Sequence, residues 1–108
     1  MKNIMTNLNN YPTGTQITYS SGSDRYPYEV VENISEKMIL IRRLDYKPTP
    51  NHTGYYGKQE YSYHSNSEND CMMIRTGRHK GENCFKTMGG TKVSLYFGEA
   101  RYYQDPSF

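Results

Sequence analysis

The sequence has no tryptophan, one alanine (Ala100) and four leucines, and only 34% of its 108 residues are hydrophobic. Scarcity of the strong helix formers argues against a helical domain. No apolar run approaches the ~18 residues needed to span a bilayer as a helix, so no membrane association is expected. Charge of one sign is also lacking. The 13 basic and 11 acidic residues are interspersed and leave a net +2, too weak and too mixed to announce a nucleic-acid stripe. Cysteine is limited to Cys71 and Cys84. They could bridge a hairpin, but the first seven residues carry no apolar signal-peptide region, so a reduced pair in the cytoplasm is the expectation. On the same grounds Asn33-Ile34-Ser35 and Asn51-His52-Thr53 match the glycosylation pattern only by chance.

Motifs of known chemistry are equally scarce. A structural zinc site needs about four ligands at paired close spacing, and the chain has no Cys-x-x-Cys or His-x-x-x-His, so no metal is expected. Cys71, Cys84, His52, His64 and His79 are not tied together by a nucleophile elbow or triad spacing, and Cys71, inside an apolar strand, reads as a buried inert thiol. Neither Gly77–Gly81 nor Gly89-Gly90 matches the glycine-rich loops of nucleotide enzymes. The chain is therefore read as non-enzymatic and without a cofactor.

What the sequence does have is tyrosine: 12 Tyr and 3 Phe make it 14% aromatic. Much of the buried surface must then come from tyrosine bodies whose hydroxyls reach water or a partner. The length fits one domain with one core. Residues 1–12, Asn-rich and ending at Tyr11-Pro12, read as a loose N-terminal arm, with a single β-rich domain over 13–108. Ile17 and Tyr19 alternate on a first strand over 15–19, followed by a turn at 20–24. Residues 28–32 and 37–42 read as a hairpin joined by Asn33–Glu36. The density of Pro and Gly in Asp45–Gly57 predicts a long exposed loop without regular structure. Strands follow over 58–63, 70–75, 83–87 and 91–97, the last with Val93, Leu95 and Phe97 in clean alternation. Tyr102, Tyr103 and Phe108 are expected to fold back onto the sheet. Six to seven short strands point to an all-β fold, a small antiparallel barrel or sandwich. A sheet this rich in Tyr would gain by covering an edge, which makes homo-oligomerisation an open expectation.

Candidate contact residues fall into three groups. Arg78, His79 and Lys80 crowd potential cations between two glycines on a turn. Such a turn can hold a phosphate, although a solvated hairpin tip has the same pattern. Arg25, Arg42, Arg43 and Arg75, interleaved with Tyr26 and supplemented by Lys47 and Lys58, resemble the mixture of cations and stacking platforms that receives bases. Ser23-Asp24-Arg25 also fits a turn cap with a local ion pair. Tyr55 and Tyr56, paired on a Gly-flanked loop, offer a large contact area at low entropic cost.

Taken in order, Thr13-Gly14-Thr15, Ser23-Asp24-Arg25-Tyr26-Pro27, the Tyr61 and Tyr63 strand, Arg75-Thr76-Gly77-Arg78, Gly89-Gly90-Thr91-Lys92-Val93-Ser94-Leu95 and the terminal Tyr102-Tyr103-Gln104-Asp105-Pro106-Ser107-Phe108 resemble a set of short proteins of tailed phages and prophages. The chain departs from them at Gly77-Arg78-His79, where the others often carry Gly-Arg-Trp. The resemblance implies a phage origin and action in the host cytoplasm. It also implies binding to a host factor, for instance an anti-phage defence protein occluded directly or a nucleotide-derived signal sequestered. A nucleic-acid-binding barrel and a virion accessory protein are the alternatives.

Overall fold

Period-two alternation gives each strand one apolar face, and burying several such faces without open edges is solved by closing the sheet. The computed structural model describes residues 8–104. It has eight strands: β1 (Gln16–Ser21), β2 (Asp24–Ser35), β3 (Met38–Arg43), β4 (Asp45–Pro48), β5 (Tyr61–His64), β6 (Cys71–His79), β7 (Glu82–Thr87) and β8 (Lys92–Phe97). Six of them close a barrel in the order β1-β2-β3-β6-β7-β8, with β8 pairing antiparallel back onto β1. β4 and β5 form a separate two-stranded ribbon inserted between β3 and β6. The fold is the expected all-β small barrel. Closure pairs the edges of the barrel sheet, while the β4–β5 ribbon keeps its own.

Inside, Ile17, Val30, Ile39, Ile41 and Ile74 are at most 1% exposed, and Tyr28, Val93 and Leu95 complete the core with Phe85 and Phe97 packed against it. Barrel diameter grows with strand number, so six strands leave a narrow interior that these side chains fill. Each fully buried Ile contributes about 2–3 kcal/mol relative to exposure. The interior is sealed by the N-terminal segment, which departs from the expected arm. Leu8 is fully buried at the start of a 3-10 turn, Leu8–Asn10, and Tyr11 stacks on Phe97 at 3.9 Å. Asn33 holds this plug by donating from Nδ2 to the carbonyls of Leu8 (2.9 Å) and Tyr11 (2.7 Å). The rest of the predicted arm, residues 1–7, lies outside the described residues, as does Phe108.

Two further expectations are corrected. Asn33–Glu36 is not a link: β2 runs to Ser35, and irregularities in its register between Val30 and Glu32 and between Asn33 and Ser35 let the long strand bend into its hairpin with β3. Within Asp45–Gly57, the first four residues are strand β4 despite Pro48. A two-stranded ribbon is all edge, so a proline at the end of one strand costs no ladder bond that a neighbour needed. The same logic fits Pro27 in β2. The Leu44 amide donates to its carbonyl at 3.0 Å where the pairing with β3 runs out. Beyond that point the freed side of β2 is used by the C-terminal segment: Arg25 and Tyr103 exchange backbone hydrogen bonds of 2.8 and 3.0 Å.

Candidate binding face

Where the C-terminal segment crosses β2, the barrel end and the β4–β5 ribbon share one aromatic cluster. Tyr19, Tyr26 and Tyr28 sit at the barrel end, with Tyr19 5.3 Å from Tyr28 and 6.5 Å from Tyr26. Tyr26 meets Tyr102 at 6.1 Å, Tyr102 stacks on Tyr46 at 4.0 Å and 16°, and Tyr61 packs edge-on against both. His52 extends the chain of rings from the loop side, 4.7 Å from Tyr61. The Tyr63 hydroxyl accepts from the Tyr102 amide at 2.7 Å. Ring packing of this kind contributes about 0.5–1.5 kcal/mol per pair beyond area burial. It also partly shields the hydroxyls from water: burial pushes Tyr19, Tyr26, Tyr28, Tyr61 and Tyr63 above the ordinary tyrosine pKa. Tyr102 is raised furthest, by its hydrogen bond with Tyr46 and then by burial.

The loop between β4 and β5 is built almost entirely from its own hydrogen bonds. The Thr49 amide donates to the Glu60 carbonyl (3.0 Å) and the Thr49 hydroxyl to the Glu60 carboxylate. The Glu60 amide donates to His52 Nδ1 (3.1 Å), and the Lys58 amide to the Thr53 hydroxyl (2.5 Å). Hydrogen bonds from Thr49 and Asn51 hold the Glu60 carboxyl below its ordinary range. Gly57 has to be glycine, since a Cβ there would stand 2.3 Å from Thr53 Oγ1. Gln59 ties the loop to the C-terminal segment: its Nε2 donates to the carbonyls of Tyr55 (3.0 Å) and Gln104 (2.8 Å), and its Oε1 accepts from the Gln104 amide (3.1 Å). On this frame Tyr55 and Tyr56 stand edge to face at 4.7 Å, and Tyr56 is 82% exposed. Beside them a cleft of about 570 Å³ runs between the loop and the C-terminal segment, lined among others by Arg25, Lys58, Arg101 and Tyr103.

A second cleft, of about 720 Å³, opens between the barrel end and the ribbon, lined by Tyr28, Arg43, Tyr46 and Lys47 but also by Asp45 and Asp70. Arg43 lies over the Tyr26 ring at 5.0 Å. Asp45 is pinned by Asn69 and Asn66, each donating at 2.9 Å, and these bonds hold its carboxyl below the ordinary range. The two carboxylates offset the two cations of this cleft.

The structure disperses the ten residues singled out from the sequence. Tyr26 and Arg43 come together at one end of the barrel, Arg25 points to the opposite face of β2, and Tyr55 and Tyr56 stand on the loop between β4 and β5. Arg25 donates to Ser20 Oγ at 2.8 Å and to the carbonyls of Gly22 (3.5 Å) and Asp24 (3.4 Å), so its guanidinium caps the β1–β2 turn, and it lies 6.0 Å from the Tyr96 ring. Arg42 is structural: it pairs with the buried Glu29 at 3.1 Å, whose other oxygen accepts from Ser65 at 2.8 Å. Arg75 faces outward beside Lys86. Arg78 donates to the Gly81 carbonyl at 2.5 Å and caps its own hairpin, where His79 ends β6 and Lys80 turns with a φ of 52°. Arg42 pairs with Cys71 at the start of β6, whereas Arg78 lies seven residues further on, about 23 Å away at strand rise. A single positive face is therefore not formed.

Cys71 is exposed and Cys84 buried, the reverse of the expected burial of Cys71, because register with outward-facing Arg42 turns Cys71 outward. Cys84 pairs with Gly77, six residues along β6 from Cys71 and about 20 Å distant, too far for a bridge within the chain. Sequence reasoning missed Gln59, Gln104 and Tyr96. For Tyr96 a signal was present, since it falls on the polar side of the Val93, Leu95, Phe97 alternation. For the glutamines there was none, since they meet across 45 residues. Among the described residues no group of three His, Cys, Asp or Glu is placed to hold a metal ion, and no helix is long and apolar enough to cross a membrane. Comparison with known protein families, curated proteins and solved structures gave no match.

Proposed function

We propose that this chain is a non-enzymatic binding protein of phage origin that occludes a host protein through the face formed by Tyr55, Tyr56, Tyr103 and Arg25. The carrying observation is the Tyr55–Tyr56 pair, presented to solvent on a loop that its own hydrogen bonds have already ordered. Tyr and Arg dominate the energetics of protein interfaces, and a preordered loop avoids the entropic cost of fixing it on binding. Sequestration of a nucleotide signal is less well supported, because carboxylates line both clefts that could take its phosphates, Glu60 and Glu99 in the first and Asp45 and Asp70 in the second. The phage origin rests on the sequence resemblance.

The test is native mass spectrometry of the tagged protein purified from a bacterial host, followed by the double variant Tyr55→Ala, Tyr56→Ala. The proposal expects a complex of fixed stoichiometry with one host protein that withstands salt, and a loss of at least tenfold in affinity in the variant. A bare mass with no partner would overturn it. A discrete small added mass with nucleobase absorbance would replace it with sequestration.

A further inference from the structure

Away from the tyrosine loop, the outer wall of the barrel carries a row of like charges. Residues in register on an antiparallel pair share a face. Arg75 is in register with Lys86, and Lys86 with Lys92, so three cations stand side by side across β6, β7 and β8. Their Cβ atoms are about 5 Å apart. The row faces outward, because the neighbouring Ile74 and Val93 point into the core. Like charges directly opposite each other destabilise a sheet, and the ion pairs among the described residues, Arg42–Glu29, Lys58–Glu60 and Arg101–Glu99, involve none of the three. Lys37 adds a fourth charge nearby, its carbonyl accepting from the Thr76 amide at 2.9 Å.

Two features set this row apart from an ordinary solvated face. Gly77, one outward position beyond Arg75, is the floor on which two of the arms lie: a Cβ there would stand 3.0 Å from Arg75 Nη1 and 3.1 Å from Lys86 Cδ. A side chain in place of Gly77 would displace both arms from the strand surface on which they lie. Further along β8 the same face continues through Ser94 to Tyr96, which is 55% exposed and has the Arg25 guanidinium 6.0 Å from its ring centroid. Lys92 and Tyr96 are separated by about 13 Å of strand.

We propose that this wall binds single-stranded nucleic acid, with phosphates along Arg75, Lys86 and Lys92 and a base stacked on the Tyr96–Arg25 platform. Sequence-independent binding of single strands needs a positive track plus an exposed aromatic, and both are present within a span that a few nucleotides cover. Strand walls bearing exposed aromatics present stacking surfaces to unpaired bases. A duplex keeps its bases stacked away from such a platform, and an acidic protein would have no use for it. The inference shares Arg25 with the protein-partner reading but not Tyr55, Tyr56 or Tyr103, and the variants at Arg75, Lys86, Lys92 and Tyr96 test it separately.

The test is fluorescence polarisation of a short labelled oligothymidylate over a salt series. Three phosphate contacts predict a slope of about −2 in log affinity against log salt. The triple variant Arg75→Gln, Lys86→Gln, Lys92→Gln is expected to lose at least tenfold in affinity and most of that slope. It should melt no lower than the parent, because it relieves like-charge repulsion, so loss of folding does not confound the result. Tyr96→Ala is expected to weaken binding with the slope unchanged, and Lys58→Gln to change neither. Absence of binding at low salt would overturn the proposal, as would a slope indifferent to the triple variant. Equal affinity for a duplex of the same length, or displacement by oligoglutamate as efficiently as by unlabelled oligothymidylate, would also overturn it in favour of an unspecific polyanion track.

Discussion

Glu29 and Arg42 sit on adjacent strands with side chains 8% and 21% exposed, joined at 3.1 Å and closed over by Ser65. Removing one partner strands the other charge in a poorly solvated place. Glu29→Gln is expected to lower the unfolding free energy by about 2 kcal/mol in urea denaturation, while the apolar double variant Glu29→Leu, Arg42→Met should recover most of that loss. Leu8 allows a second test at this scale. As a fully buried plug, Leu8→Ala should cost about 3 kcal/mol, whereas a residue of a loose arm would cost nothing measurable. Both residues look unremarkable in the sequence. Leu8 stands alone among asparagines, and an isolated apolar residue gives no period from which burial follows.

The β4–β5 ribbon depends on a segment distant in sequence. Tyr102 stacks on Tyr46 and packs against Tyr61, so Tyr102→Ala should raise amide exchange in the ribbon by more than tenfold and leave the amides of β3 protected. The ribbon and its loop are also held by two carboxylates. Hydrogen bonds keep the pKa of Asp45 and Glu60 below the ordinary range, so their stabilisation is present above about pH 4 and is lost as pH falls through the lowered values. Limited proteolysis should accordingly cut the loop faster at pH 3 than at pH 7, before the barrel opens. The strands of the barrel were legible from alternation, most cleanly β8. β4 was not, because Pro48 and Pro50 mark a loop in any local reading, and only pairing with β5 makes the segment a strand.

For the molecule as a whole, the dominant feature is a tyrosine cluster with raised pKa values. Folding retains protons on Tyr19, Tyr26, Tyr28, Tyr61, Tyr63 and Tyr102 where the unfolded chain would release them. Their contribution to stability is therefore complete at neutral pH, begins to fall as pH rises past about 10, and is gone once the folded-state values are passed. Ultraviolet titration should show a fraction of the tyrosines ionising at the ordinary pKa and the remainder only in a cooperative step coincident with loss of the near-ultraviolet circular dichroism.

By itself the sequence determined the class of structure and the chemistry available to it. Few helix formers, alternating β-branched and aromatic residues and turn residues at short intervals leave an antiparallel sheet as the way to bury the apolar side chains. The tyrosine content dictates that much of the core and surface will be aromatic and half-polar. Which residues act together was decided by tertiary structure. Strand register places Arg75, Lys86 and Lys92 in one row although 17 residues separate the first from the last. It also sends Arg42 to a structural ion pair and Arg78 to the far end of the barrel. The physical reason is that a one-residue change in register moves a side chain to the opposite face, and register across a closed barrel is a property of the whole sheet.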